Sequence, residues 1–467
     1  MKIKNAFLLS LIFLLLLSGC QKKDEKITAD YDRYLFDTSY VHEIDITISD
    51  EDWKDLIEDP MAKKKYSVDI TIDGETLKDV SFNTKGNSSL AFTAADENSD
   101  RYPFRINFGK NVKGQTYHGL DKLSLNNLFE DSTYMKEYVS YELFRKCGVS
   151  APLVSFVLLK INGRIHSLYE AVEDIDNGFL GRNYSSEGVL YKPEGEGIEL
   201  SLEDVEAIRN GAPVPMGEAH GADFVYIDDQ IESYSDIFEN AENHCEEEDK
   251  LEVIEALKAI SENRDLEKYL DTDEIIRYFA VNTFLMNFDS YIGPMLHNYF
   301  LYEDKGRISL LPWDYNLSFA TMSLLVSNED YEDPTGLINS GIDSPLFLSD
   351  EENRPMWAWI IRNDDYLERY HEAFDVIVDH IESGEFEKEN DRIHEMLGSY
   401  VKEDPDSPYS FEQYEEGYRA LKDFCILRSR SIRKQLDGSL SKRSTDQRKE
   451  DQVDASWVDL LKMNAQW

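Results

Sequence analysis

The feature that most constrains the fold is a hairpin signal in residues 153–173, LVSFVLLKINGRIHSLYEAVE. Two β-prone runs, Ser155–Ile161 and Arg164–Ala171, are separated by the dipeptide Asn162-Gly163. Asn-Gly takes up the left-handed conformations that a two-residue hairpin turn requires, so the two runs should pair as antiparallel neighbours. Any fold for this chain therefore has to contain an antiparallel sheet.

Further strands are predicted on the N-terminal side of this hairpin. The candidate runs, rich in alternating apolar, aromatic and β-branched residues, are 34–49, 66–72, 77–83 and 102–108. Asp73-Gly74 predicts a second tight turn. A helix is expected from about 133 to 147, after a cap at Asp131-Ser132. We expect residues 34–192 to form one sheet-rich unit.

The second half of the chain is predicted to be mainly helical. Apolar residues recur at helical spacing in 251–260, 272–288, 356–383, 386–400 and 411–436. The second of these runs is apolar on most sides and should be buried. Between the two halves, residues 193–250 predict an acidic surface insertion, and residues 437–467 predict a charged, frayed tail. The expected fold class is α+β, with a helical unit over 251–436.

Two aspartates follow elements that would bring them together. Asp289 follows the buried helix, and Asp314 follows the apolar run Ile308–Trp313. The turn at Asp304-Lys305-Gly306 would place both carboxylates at one end of a hairpin. Two such acids suit a divalent metal with a phosphate substrate. The alternative is that Asp289 ends a helix and Asp314 forms an Asx-turn.

A second candidate site is the sequence KGNSS at 85–89, directly after a predicted strand. Gly86, beside Asn87 and Ser88, would turn backbone N–H groups toward a phosphate, and Lys85 would add positive charge. The alternative is a hairpin connection in which Gly86 only takes a positive φ.

The N-terminal residues are typical of an export signal. Lys2 and Lys4 precede the apolar run Ala6–Leu17, which is too short for a comfortable membrane span. Leu-Ser-Gly then precedes Cys20, an order that resembles a bacterial lipobox. We therefore expect residues 1–19 to be a lipoprotein signal peptide, Cys20 to be lipidated, and residues 20–33 to tether the protein to the outer face of the bacterial cell membrane. An ordinary signal with an incidental cysteine is the alternative.

The charge balance restricts the possible partners. The formal net charge is −44, from 49 basic and 93 acidic residues. A surface this acidic repels nucleic acid and favours cations or basic partners, so DNA and RNA are excluded as partners.

Several segments together resemble the spore coat protein H kinase family. They occur in a consistent order within about residues 36–400, and this order carries the resemblance more than any single segment does. The segments are KGNSS (85–89), YPFRINF (102–108), LNNLFEDSTYMKEYVSYELFRKCGVSAP (125–152), FVLLKINGRIHSLYEAVEDID (156–176), LYKP (190–193), NTFLMNFDSYIG (282–293), HNYFLY (297–302) and LPWDYNLSF (311–319).

The resemblance implies a divergent protein-kinase fold, with a sheet-rich lobe, a helical lobe, and ATP with Mg²⁺ or Mn²⁺ between them. It also implies transfer of the ATP γ-phosphate to Ser or Thr of exported proteins, with envelope or spore coat proteins as partners.

The family motifs also suggest roles for individual residues. Asp289 matches an aspartate used in catalysis and Asp314 one that holds metal, with Asn298 and Asn316 as metal or phosphate neighbours. The other expected ATP contacts are Lys85, Asn87, Ser88, Arg105, Lys192, Glu137 as the partner of a lysine, and Tyr191 and Trp313 beside adenine. Lys85 replaces an arginine found in many members, and Asn107 replaces a common lysine, so the strand 102–108 supplies Arg105 but no lysine.

Two other functions remain open at this point. The protein could be a non-catalytic surface lipoprotein that uses a kinase-like scaffold for binding or for coat or envelope assembly. It could also be a carbohydrate-active enzyme with Asp289 and Asp314 as its paired carboxylates, although the basic residues would then have no role.

Overall fold

The structure is a computed structural model that describes residues 30–96, 98–184, 188–195, 199–212, 220–322 and 333–464. The expected signal peptide, Cys20 and most of the expected tether lie outside these residues. Among the helices within these ranges, none combines the length and apolar character needed to cross a membrane.

Seven strands in the first part of the chain close into a barrel. They are β1 (His42–Thr47), β2 (Tyr66–Ile72), β3 (Glu75–Thr84), β4 (Phe104–Asn107), β5 (Lys122–Asn126), β6 (Val154–Ile161) and β7 (Arg164–Glu173). Their order around the barrel is β1-β2-β3-β4-β5-β7-β6. Neighbours are antiparallel except β1 and β6, whose parallel pairing closes the ring. Closure removes the free edges that an open sheet would expose.

The predicted hairpin is confirmed. β6 and β7 pair from Ile161↔Arg164 at the turn to Val154↔Val172, with one irregularity in register. Asn162 and Gly163 have φ values of 52° and 76°, as a two-residue turn between twisted strands requires. Because the turn fixes the register, it decides which side chains of both strands enter the barrel.

The remainder of the described chain is mostly helical, with one small sheet. That sheet has the order β10-β9-β8 and is built from β8 (Val189–Tyr191), β9 (Tyr299–Asp304) and β10 (Arg307–Pro312). The helices are α1 (Asp50–Glu58), α2 (Ser88–Ala94), α3 (Lys136–Lys146), α4 (Asn177–Asn183), α5 (Leu202–Arg209), α6 (Ser235–Phe238), α7 (Glu247–Glu262), α8 (Leu266–Tyr269), α9 (Thr272–Leu285), α10 (Thr335–Ile338), α11 (Pro355–Ile361), α12 (Asp364–Glu382), α13 (Glu385–Glu403) and α14 (Phe411–Leu436). The protein is therefore of mixed α+β class, as predicted.

The helix α9 is buried on nearly all sides, as its apolar sequence predicts. The Asp271 carboxylate caps its first turn by accepting a hydrogen bond from the Glu274 N–H at 3.2 Å. The helix ends at Met286, whose φ of 49° lies in the left-handed region. This fixed end directs the following loop, which carries Asp289, toward the hairpin of β9 and β10.

Two regions pack more closely than the sequence predicts. Within the expected insertion, Leu200 and Val205 are buried against Ala91 and Phe92 of α2. The expectation of a frayed tail is wrong for residues 437–464, where Leu440, Ala455, Val458 and Met463 are among the buried side chains. These apolar residues occur at no regular spacing, so they gave no periodic signal, yet burying them outweighs the cost of ordering the chain.

A buried arginine joins the barrel to the helices. The Arg101 side chain forms an ion pair of 2.5 Å with the fully buried carboxylate of Asp404, which follows α13. It also donates to the Asn127 carbonyl at 2.7 Å, to the Ser167 hydroxyl and to the Leu168 carbonyl of β7. One guanidinium thus satisfies acceptors from the barrel, from the segment before α3 and from the segment between α13 and α14.

We expect Asp404→Asn to lower the free energy of unfolding by about 3–5 kcal/mol, because it leaves the Arg101 charge buried without its counter-charge. Equilibrium urea unfolding measures this change. Glu403→Gln is the matched control, since this neighbouring side chain is exposed and its replacement should cost less than about 0.5 kcal/mol. Equal stabilities of the two variants would contradict a stabilising role for the Arg101–Asp404 ion pair.

Candidate active site

The loop after α9 presents Asp289 with two side-chain partners. His297 Nε2 lies 2.5 Å from Asp289 Oδ1, and Asn298 Nδ2 donates to Asp289 Oδ2 at 2.9 Å. Within the loop, the Asp289 N–H donates to Asn287 Oδ1 at 3.1 Å. Asp289 is 7% exposed, so its carboxylate is held in one orientation at the edge of the core.

The histidine beside Asp289 carries positive charge more readily than an ordinary histidine. Burial alone would lower the pKa of His297, but the negative charge of Asp289 and its hydrogen bond outweigh this effect and raise the pKa. The more distant charge of Asp314 acts in the same direction. The Asp289–His297 pair is therefore a charge-assisted contact that favours the protonated imidazole.

The second aspartate, Asp314, follows β10 in a left-handed conformation with a φ of 55°. Its backbone N–H donates to the Tyr141 hydroxyl of α3 at 2.9 Å. Burial raises the pKa of Asp314, the positive charge of Lys85 opposes this shift, and the negative charge of Asp289 adds to it. The two aspartates lie on adjacent loops, because Asn298 donates to Asp289 and its carbonyl accepts the N–H of Trp313, the residue before Asp314.

Lys85 comes to the same place from the end of β3. Its Nζ lies 5.8 Å from the centre of the Trp313 ring. Burial lowers the pKa of Lys85, whereas the charge of Asp314 and, more weakly, that of Glu137 oppose this shift. Gly86 follows with a φ of 93°, and a Cβ there would lie 2.9 Å from the Ser89 hydroxyl. The loop leads into α2 and not directly into another strand, so the simple hairpin connection is not formed.

Glu137, in the first turn of α3, faces Lys85 from the barrel side. Its carboxylate accepts hydrogen bonds from Asn126 Nδ2 and, at 3.1 Å, from the Tyr141 hydroxyl. Burial and the charge of Asp314 raise the pKa of Glu137 to about 7, against the opposing effect of Lys85. The start of α3 is fixed by the Asp131 carboxylate, which accepts a hydrogen bond from the Lys136 N–H at 2.7 Å.

One cavity joins Lys85, Glu137 and Asp314, whereas Asp289 and its partner His297 are not among the residues that line it. It is bordered by the loop after β3, the end of β5, the start of α3 and the loop after β10. Its charged and amide side chains are Lys85, Asn126, Asn127, Glu130, Asp131, Glu137, Glu170, Asp314 and Asn316. Segments far apart in the sequence thus supply one lysine and several carboxylates to a single cleft.

Four other residues predicted to contact ATP are engaged in other contacts or begin a helix. The Asn87 carboxamide oxygen accepts the Leu200 N–H at 2.7 Å, and Ser88 begins α2. Arg105 forms a 3.0 Å ion pair with Asp174, and the half-buried Lys192 pairs with Glu194. The positive charge of Lys192 nevertheless acts on Asp314.

The two aromatic residues expected beside adenine differ in their surroundings. Tyr191 is fully buried, with its hydroxyl 3.2 Å from Cys245 Sγ, so its ring offers no open face to a ligand. Trp313 is also buried and packs edge-on against Phe300, with ring centres 5.7 Å apart, but it lies under Lys85.

Several residues of the cleft were missed by sequence reasoning. Glu130 accepts a hydrogen bond from Asn316 Nδ2 at 2.8 Å, and burial raises its pKa to about 7. Glu170 lies fully buried on β7, and its carboxyl is hydrogen-bonded to that of Glu137. His297 and Tyr141 lie in segments that resemble the family. An isolated acid or tyrosine carries no spacing signal, and most helix acids are solvated.

A further contact reaches the cleft from the C-terminal end of the described chain. Lys136 is fully buried, and its Nζ donates to the Glu130 carbonyl at 2.7 Å and to Asn464 Oδ1 at 2.8 Å. Asn464 also donates to the Thr321 carbonyl at 3.2 Å. Residues beyond α14 therefore close the back of the cleft.

The donor set fits a divalent cation completed by a nucleotide. Within the described ranges, no group of three or more His, Cys, Asp or Glu side chains could hold a metal ion. Mg²⁺ is commonly held by only one or two carboxylates together with substrate phosphates and water. Asp289 and Asp314, with the amides of Asn298 and Asn316, provide such a partial set. The repulsion between the two carboxylates is what a bound cation would relieve.

The fold and the cleft define a mixed α+β protein in which a barrel and a set of helices enclose a lysine and several buried carboxylates. Comparison with known protein families identifies the family of this chain. The family described as CotH kinase protein matches residues 82–432, which is more than half of the chain. The chain belongs to the CotH kinase family.

A curated relative supports this membership. Inner spore coat protein H of Bacillus subtilis (strain 168) is 24% identical over 213 residues, which cover 44% of this chain and 52% of that protein. The chain thus spans about half the length of the curated relative it matches.

The raised pKa of Glu137 predicts a pH dependence of stability. Between its ordinary value of 4.5 and about 7, the folded protein binds a proton that the unfolded chain releases. The stabilising contribution is present below about 4.5 and is lost as the pH rises through 7. Glu137→Gln should reduce the loss in unfolding free energy between pH 4.5 and 8, because the amide does not titrate.

Denaturant unfolding at several pH values measures this slope. Glu142→Gln is the control, because Glu142 is exposed on the same helix and its replacement should leave the slope unchanged. An identical slope for wild type and Glu137→Gln would show that the site does not bind a proton in this range.

Proposed function

We propose that the protein is a metal-dependent phosphotransferase that moves the γ-phosphate of ATP to Ser or Thr side chains of exported proteins. The observation that carries this proposal is the convergence of Lys85, Glu137 and Asp314 on one cleft from three distant segments. Lys85 is partly buried beside carboxylates from α3 and from the loop after β10, an arrangement that would balance the charges of a phosphate and a cation. Family membership supports kinase chemistry at the coarser level.

The arrangement supports a divergent protein-kinase fold. In this proposal residues 34–192 form the sheet-rich lobe, residues 251–436 form the helical lobe, and the cleft lies where the two meet. Residues 193–250 are an insertion that packs on the loop after β3 through Leu200 and Asn87. Residues 437–467 form a C-terminal segment whose described part closes the back of the cleft.

The basic residues offset the charge of the nucleotide. Lys85 would contact the phosphates directly, while Lys192 and Arg105 would add positive charge at the sides of the cleft. Arg105 and Lys192 each already pair with a carboxylate, so ATP binding would exchange the partners of these two residues. Asn87 and Ser88 would contribute polar groups at the start of α2, and Trp313 would border the nucleotide beneath Lys85.

Asp289 is assigned to the acceptor. Its carboxylate is fixed by His297 and Asn298, which leaves lone pairs to orient a Ser or Thr hydroxyl toward the γ-phosphate. His297, whose pKa is raised by Asp289, would fix the orientation of the carboxylate that receives the acceptor proton. This assignment gives His297 a positioning role that the sequence did not suggest.

Asp314 and the amides of Asn298 and Asn316 would hold Mg²⁺ or Mn²⁺, which supplies neutralisation of the phosphate charge when bound. Glu137 would keep Lys85 directed into the cleft, as a carboxylate partner does for a lysine that contacts phosphate. The protein would work outside the cytoplasm, held at the membrane by a lipid on Cys20, with envelope or spore coat proteins as substrates. The name of the Bacillus relative supports a coat-related partner.

The assignment predicts which substitutions remove activity. With Mn²⁺ and labelled ATP, Lys85→Met, Asp289→Asn and Asp314→Asn should each lower phosphotransfer to envelope proteins by about 10²-fold or more, because each removes a charge that acts at the phosphates or the acceptor. The controls are Lys78→Met, exposed on β3 before the loop that carries Lys85, and Asp304→Asn, at the opposite end of the β9–β10 hairpin.

A wild-type protein that binds no Mn²⁺–ATP in a thermal-shift assay and transfers no phosphate would favour the scaffold function. Cleavage of a wall polysaccharide that depends on Asp289 and Asp314 would instead favour the carbohydrate-active enzyme. Site mapping of the labelled product names the acceptor residue in the same experiment.

Removal of divalent metal gives a separate prediction. Excess EDTA should abolish phosphotransfer, and Mn²⁺ or Mg²⁺ should restore it, because ATP would otherwise meet the unscreened charges of Asp289 and Asp314. Full activity in EDTA would contradict the metal assignment. A circular dichroism spectrum unchanged by EDTA is the control for a loss of folding.

A further inference from the structure

We propose that Tyr141 is a positioning residue that holds Asp314 in its working conformation through one hydroxyl group. The assignment of Asp314 to metal binding rests on the proposed function, whereas the contact itself is a property of the fold. Tyr141 lies on α3 and is fully buried. It is the point at which the helix carrying Glu137 touches the backbone of the Asp314 loop.

The hydroxyl makes two hydrogen bonds of opposite direction. It donates to Glu137 Oε1 at 3.1 Å and accepts from the Asp314 N–H at 2.9 Å. A tyrosine hydroxyl has a single proton, so donation to Glu137 leaves its lone pairs directed to other donors. Burial and the charges of Glu137 and Asp314 raise the pKa of Tyr141 well above its ordinary value, which keeps that proton on the oxygen.

Asp314 needs such support because its φ of 55° is unfavourable for a residue with a side chain. The residues on either side are fixed to other elements. Trp313 donates its N–H to the Asn298 carbonyl at 3.2 Å, and the Tyr315 hydroxyl donates to Asn282 of α9 at 2.8 Å. The bond from the Asp314 N–H to Tyr141 is the contact that ties this residue's own backbone to α3.

The same hydroxyl links Asp314 to the barrel. Glu137 accepts a hydrogen bond from Asn126 of β5 and shares one with Glu170 of β7. Glu170 also accepts the Tyr138 N–H at 3.1 Å, which fixes the first turn of α3 against the strand. The orientation of α3 on the barrel is therefore transmitted to Asp314 through Glu137 and Tyr141.

The chain offers a closely matched pair of variants. Tyr141→Phe removes only the hydroxyl and keeps the ring packing. Tyr138→Phe removes a hydroxyl from the same helix, one that donates to Glu389 at 3.3 Å and not to the cleft. Both tyrosines are buried and keep their ring packing as phenylalanine, so the comparison isolates the hydrogen bonds of the Tyr141 hydroxyl.

The first measurement is amide hydrogen exchange of the full-length protein, read at the Asp314 N–H without nucleotide or metal. Tyr141→Phe should speed exchange at Asp314 at least tenfold, whereas Tyr138→Phe should leave it at the wild-type rate. Unchanged exchange in Tyr141→Phe would overturn the proposal. If Tyr141→Phe does not fold, Glu137→Leu provides the second variant, since it removes the acceptor that orients the hydroxyl and should speed exchange at Asp314.

The second measurement is the concentration of Mn²⁺ that half-saturates the thermal shift with ATP. Loss of an outer partner of a metal ligand commonly costs 10–100-fold in metal affinity or activity, so Tyr141→Phe should raise this concentration by about that factor. The same half-saturating concentration in wild type and Tyr141→Phe would overturn the role in metal positioning. Wild type that binds no Mn²⁺–ATP, together with faster Asp314 exchange in Tyr141→Phe, would refute the proposed function and leave the structural contact established.

Discussion

The buried guanidinium of Arg101 is the contact on which the relation between barrel and helices depends. It spans acceptors from β7, from the segment before α3 and from the turn after α13, and Asp404 supplies its counter-charge. A charge in this position is unfavourable unless every partner is in place, so the contact tolerates little displacement of the barrel from the helices. The cleft lies between the same two regions, so the Arg101 contact also limits movement of the walls of the cleft relative to each other.

The cleft is lined by more acidic than basic side chains. Glu130, Glu137 and Glu170 are buried acids with raised pKa values, and the pKa of the partly exposed Asp314 is raised as well. The positive charge of Lys85 opposes the shift of Asp314. A stable core would not collect repelling carboxylates, and perturbed pKa values of this kind concentrate at functional sites. The unfavourable interactions are offset by packing elsewhere, above all around the helix α9.

The sequence predicted those parts of the structure that are encoded locally. The Asn162-Gly163 turn, the buried helix before Asp289 and the hairpin between the two aspartates each follow from residue spacing, and each is present. Closure of the barrel was not predicted, because the parallel pairing of β1 with β6 joins strands that are distant in sequence and leaves no local signal. The packing of residues 437–464 escaped for the same reason, since their apolar residues follow no period.

The same distinction holds for the candidate site. The family resemblance suggested Lys85, Glu137 and Asp314, which do line one cavity. It misjudged the surroundings of Tyr191, because an aromatic residue in a strand gives no indication of which face will be covered. Glu130, Glu170, Tyr141 and His297 act through contacts made only after folding, so they were visible in the sequence without being distinguishable from ordinary surface or core residues.

The bond between Lys136 and Asn464 has a consequence for substitutions made far from the cleft. Lys136 precedes Glu137 in the first turn of α3, and Asn464 follows it by 328 residues. A substitution at Asn464 would leave a buried ammonium group short of one acceptor, and it would thereby act on the turn that carries Glu137. The segment after α14 thus influences a charged residue of the cleft through a single side-chain contact.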